Sequence, residues 1–61
     1  MVQKFDRIQL DYMLNHIGDY TERLTIWEKQ FTESVSEQLE QRGTLSEKQQ
    51  EIVERIYTKL P

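Results

Sequence analysis

The stretch "RGTLSEKQ", Arg42–Gln49, decides how this chain folds. Gly43 reads as a helix stop, because glycine accepts the left-handed backbone that commonly ends helices. Ser46 followed three residues later by Gln49 is a capping box. The hydroxyl takes a first-turn N–H, and the amide reaches back to the cap. Leu45, just before the cap, is placed to plug the closed end between two helices. So short a link makes its flanking helices antiparallel neighbours.

Working outward, each flank carries an amphipathic pattern. Upstream, Thr25 and Glu28 form another capping box, and Trp27, Phe31, Val35 and Leu39 recur every four residues. Downstream, Ile52, Val53, Ile56, Tyr57 and Leu60 make one apolar face. Glu51 and Arg55 are spaced as an i, i+4 ion pair, and Lys59 suits the negative end of a helix dipole. The expected core is therefore Trp27, Phe31, Val35 and Leu39 facing Ile52, Val53 and Ile56, with Leu45 at the turn.

Further upstream, Leu10, Met13, Leu14 and Ile17 follow i, i+3, i+4, i+7, the spacing of one helix face. Asp6 is a cap or first-turn acid, and Gly18 reads as a left-handed stop. Phe5 and Ile8 are compatible with an extended arm. Residues 19–25 have two readings. Asp19 and Glu22 form a rival acidic box that would start the second helix early; otherwise the segment is a turn or loop. The expected fold is all-α: an N-terminal helix packed on an antiparallel helical hairpin, with helices at about 6–17, 26–42 and 47–59, in one domain covering 1–61.

Composition limits the functions to consider. A chain of 61 residues buries too little surface to be very stable and calls for a partner or a close-packed helical core. It has no cysteine for a disulfide or thiolate zinc site, and a single histidine, His16, does not make a metal site. His16 reads as a partly exposed helix residue. Neither nucleophile-and-base pair nor paired carboxylates in a pocket are evident, so the chain reads as non-enzymatic and without cofactors. No apolar run is long enough to span a bilayer, and no helix is cationic enough to lie on one. Asp6, Arg7 and Asp11 interrupt the N-terminal apolar pattern, which does not read as a secretory signal; the expected location is cytoplasmic.

The segment from Leu24 to about Ile56 resembles a helical hairpin recurring in proteins of tailed bacteriophages and related mobile elements. The features that carry the likeness are Trp27-Glu28, Phe31, Ser34, Gln38-Leu39, Gly43, the Leu45–Gln49 run, and Ile52 to Ile56. The resemblance implies a small phage-type accessory protein, acting in the cytoplasm of a bacterial host, and supplies no catalytic residue.

Two functional expectations follow. The first is a protein that binds and modulates a host or phage protein through a helical surface. Its candidate contacts are Arg42, Glu47 and Lys48 at the hairpin tip and the acidic row Glu33, Glu37 and Glu40; self-association as a homodimer overlaps with it. The second is a nucleic-acid-associated accessory factor in phage DNA metabolism. It would use the hairpin tip and third helix, where Ser46, Lys48, Gln49 and Gln50 offer polar chemistry. A net charge of −3 gives the second a thin basic footprint.

Overall fold

The computed structural model describes residues 5–61. Three α-helices follow one another: α1 (Arg7–Gly18), α2 (Ile26–Arg42) and α3 (Glu47–Thr58), with one 3₁₀ turn at Thr21–Arg23 between α1 and α2. No strand occurs among the described residues. The fold is all-α, with helix boundaries within a residue or two of those the sequence predicts.

Each α-helix begins with a complete reciprocal capping box. Thr25–Glu28 and Ser46–Gln49 are the two read from the sequence. The third pairs Asp6 with Gln9: the Gln9 N–H donates to Asp6 Oδ1 at 2.8 Å, and the Asp6 N–H donates to Gln9 Oε1 at 3.1 Å. These boxes satisfy first-turn N–H groups that a helix otherwise leaves without partners. Residues 19–25 resolve as a connection. Asp19 caps the end of α1, donating its N–H to the carbonyl of His16, so the rival Asp19–Glu22 start does not form.

Two antiparallel contacts fix the α2–α3 hairpin. Near the closed end, the Gln38 and Gln49 side-chain amides exchange two hydrogen bonds, each 3.1 Å. At the open end, the Lys59 ammonium donates to the Glu28 carboxylate. Leu45 is buried at the turn, as its place before the cap implies.

All three helices feed one buried cluster. α1 supplies Leu10, Met13, Leu14 and Ile17, the four residues of the predicted face, and Leu10 and Ile17 are fully buried. Leu24 adds an apolar side chain from the connection. α2 supplies Val35 and Leu39, and α3 supplies Val53 and Ile56. Phe31, Ile52, Tyr57 and Leu60 are partly buried against this cluster.

Trp27 departs from the expected core: it is 58% exposed. Helix geometry explains this. A residue four positions on overshoots a full turn by about 40°, so a strict every-fourth stripe spirals around the helix. Between Leu39 and Trp27 the drift reaches about 120°. Thr32, seven residues before Leu39, returns to within about 20° of it, and Thr32 is buried. Phe31, about 80° along the drift, is half-buried.

α3 shows a related substitution. Its first buried position is Gln50, only 1% exposed, whereas Ile52 stands at the edge of the core. Gln50 Oε1 accepts the Phe5 N–H at 2.9 Å, and its Nε2 donates to the Leu45 carbonyl at 2.9 Å. The partners dictate the amide's orientation, since an N–H must meet oxygen and a carbonyl must meet nitrogen. Gln50 thus ties the residue preceding α1 to the hairpin turn, and Phe5 lies against the core instead of in a detached arm.

The two glycines differ. Gly43 ends α2 at φ +78°, in the left-handed region, and its N–H donates to the Leu39 carbonyl at 2.7 Å. Gly18 does not have the expected left-handed backbone; Gly43 is the positive-φ residue among those described. Space is open where a Cβ on Gly18 would sit. Gly18→Ala should therefore raise stability by about 0.5–1 kcal/mol, while Gly43→Ala should lower it by about 1–2 kcal/mol. Opposite shifts in urea midpoint at constant slope check this pair.

Candidate interaction surfaces

The first turn of α2 presents Ile26, 75% exposed, beside Trp27. The indole stacks on Phe31, with centroids 5.2 Å apart and planes 12° from parallel. Trp27 and Phe31 stand one turn apart, as i, i+4 residues do. Phe31 is anchored against the core, so it supplies a fixed base for the exposed ring. The sequence identified this pair but placed Trp27 inside.

Next along α2 comes Glu28. Its Oε1 accepts the Thr25 N–H at 2.9 Å, completing the cap, and its Oε2 accepts from Lys59. The lysine hydrogen bond first, and then the Thr25 N–H, hold this carboxyl below its ordinary value of 4.5. The folded state therefore binds the Glu28 proton less tightly than the unfolded state. The resulting stability is fully present above pH 4.5 and is lost as pH falls through the lowered folded value. Glu28→Gln should flatten that acid limb in circular dichroism unfolding curves. Added salt should weaken the effect in the native chain, because Lys59 is about half exposed.

At the hairpin tip, Arg42, Glu47 and Lys48 are exposed. Arg42 occupies the last turn of α2 and Glu47 the first turn of α3. Both positions suit the helix dipoles, so dipole chemistry accounts for them and Lys48 alone keeps no structural explanation. Gln49 is engaged by its cap and by Gln38, and Gln50 is buried. Neither amide is presented for outside contact. Among the described residues, Glu51 and Arg55 form no ion pair, whereas Arg7 and Asp11 do, at 3.8 Å and half exposed.

Glu33, Glu37 and Glu40 are exposed along another side of α2. Glu33 also lines a cleft between the end of α1 and α2, together with Leu14, Gly18, Leu24, Lys29 and Thr32. A second groove, of about 430 Å³, runs between α1 and α3, lined by Phe5, Ile8, Gln9, Tyr12, Met13 and Tyr57.

His16 is half-buried on the α1–α3 seam. Its ring lies 5.0 Å from that of Tyr20 and 5.1 Å from that of Tyr57, and its Nε2 is 2.9 Å from the Pro61 carbonyl oxygen. These contacts join the end of α1 to the segment after α3. No group of three or more metal-ligating side chains gathers among the described residues. No described helix is long and apolar enough to cross a membrane.

No family model, curated protein or solved structure matches the chain.

Proposed function

We propose that this chain is a small non-enzymatic accessory protein that binds another protein through its helical surface and modulates it. We place it, on the hairpin resemblance, with phage or mobile-element proteins acting in a bacterial cytoplasm. The observation that carries the binding role is Trp27. A tryptophan 58% exposed, stacked on a ring fixed in the core, is a preformed aromatic anchor. Aromatic anchors of this kind dominate protein-binding hot spots. A rigid ring also loses little side-chain freedom on docking.

Trp27→Ala makes the test clean, because the side chain lies outside the core. Affinity purification from host cells, with quantitative mass spectrometry, should recover a stoichiometric protein with the native chain. Trp27→Ala should lose that protein while its urea midpoint stays within about 0.5 kcal/mol of native stability. Equal recovery by both chains would sink the Trp27 anchor. Failure of the native chain to recover any stoichiometric protein would count against the binding role itself.

A further inference from the structure

A separate surface lies on the opposite side of α2 from Trp27, about 180° around the helix axis. It is the cleft between the end of α1 and α2, about 570 Å³ in volume. Leu14 and Leu24 give it an apolar floor, and Gly18 leaves open space above the α1 backbone. Thr32 lines the same floor. It is nine-tenths buried, and its hydroxyl has no hydrogen-bond partner among the described residues. A buried hydroxyl in that state costs stability until a polar group meets it. The hydroxyl oxygen itself is closed to solvent, so a donor reaches it only as the side chain turns toward the cleft it lines.

The rim supplies charge. Glu33 lines the cleft, and Glu37 and Glu40 follow at i+4 and i+7, all exposed. Three carboxylates thus run along about 10 Å of α2. Lys29 is the cation on this lining, and Asp11 on α1 is already paired with Arg7.

We propose that this cleft docks a basic amphipathic helix of a partner protein. Apolar side chains of that helix would sit over Leu14, Gly18 and Leu24. Its lysines or arginines would reach Glu33, Glu37 and Glu40, whose one-turn spacing matches the repeat of an approaching helix. Helix-in-groove recognition uses this combination of periodic apolar anchors and flanking charge. The complementary charge also selects the partner and speeds encounter. Because the cleft does not include Trp27, the inference stands independently of the Trp27 anchor.

The test uses two synthetic helical peptides with identical leucine spacing, one built with lysine and one with glutamate. Each is titrated into the ¹⁵N-labelled protein, and amide shifts are followed. The leucine–lysine peptide should bind and move the amides of Leu14, Gly18, Leu24 and Ser36; the leucine–glutamate peptide should not. Charge reversal in the triple variant Glu33→Lys, Glu37→Lys, Glu40→Lys should weaken binding at least about tenfold. Gly18→Leu should do the same by filling the cleft, while its circular dichroism spectrum stays native. Trp27→Ala should bind like the native chain. The proposal is overturned if both peptides bind equally, if the lysine peptide fails to bind, or if the shifts centre on Trp27 and Phe31. It is also overturned if a folded Gly18→Leu variant binds undiminished.

Discussion

Gln50→Leu should destabilise the domain by about 2–3 kcal/mol, although leucine is apolar and of similar size. The change leaves little cavity, so the loss isolates the hydrogen bonds. The Leu45 carbonyl loses its donor at 2.9 Å inside the hairpin turn, and the Phe5 N–H loses its acceptor. An orphaned buried backbone group costs about 1–3 kcal/mol, with the partly buried Phe5 N–H toward the lower end. Urea unfolding followed by circular dichroism should show the drop. Hydrogen exchange should show the Phe5 amide losing protection first. Gln50→Glu sharpens the point. At neutral pH its carboxylate is buried and unable to donate to Leu45, so the loss should exceed that of leucine. Protonation restores a donor, so this variant should recover stability as pH falls. Native Glu28 acts in the opposite direction, losing its contribution in acid. A Gln50→Leu variant as stable as the native chain would remove the clamp as a structural element.

Gln50 also marks where reading the sequence stopped short. The helices, two of three capping boxes, Leu45 and the α1 face were legible because each rests on local spacing. A box needs residues three apart, and an amphipathic face needs recurrence near 3.6. Gln50 was invisible in that sense. A glutamine in the first turn of a polar helix looks solvated, and its partners Phe5 and Leu45 are 45 and five residues away. Trp27 was misplaced for a different reason. Recurrence every four residues resembles a face over one turn but drifts off it over three. Thr32 is the residue that closes the pattern correctly, and its hydroxyl sets it apart from the apolar side chains that mark a helix face. Gly18 stands at a helix end, where glycine is compatible with two backbones; only one is left-handed.

Surface side chains divide into those that local helix chemistry holds and those it leaves available. Of the candidate contacts at the tip, Arg42 and Glu47 complement helix dipoles, and Gln49 is held by its cap and Gln38. The acidic row is different: Glu33 meets a cleft with an apolar floor, and Glu37 and Glu40 follow it along α2, both exposed. Trp27 is different again, exposed yet held by Phe31. Neither feature is required by helix capping or by the core. That makes both more informative about partners than the hairpin tip, where local helix chemistry explains most residues.

Leu10→Ala should have the largest effect, a loss of about 2–5 kcal/mol. Leu10 is fully buried and belongs to the cluster that joins all three helices. A domain of this length is expected to have roughly 3–9 kcal/mol in total. The variant should therefore populate its unfolded state measurably at room temperature and melt far below the native chain. What matters is which amides lose protection. If α1 is integral to the core, the amides of Val35, Leu39 and Val53 should open together with those of α1, because the hairpin alone lacks the apolar burial to persist. If α1 were an accessory cover, Leu10→Ala would release α1 and leave α2 and α3 protected. The contacts favour the first outcome: Gln50 holds Phe5, and His16 meets both Tyr57 and the Pro61 carbonyl. α1 is thus fastened to α3 near each of its ends, and Leu10, Met13 and Leu14 between them enter the shared core. Hydrogen exchange in which the α2–α3 amides outlast those of α1 by the full native margin would refute this cooperative fold.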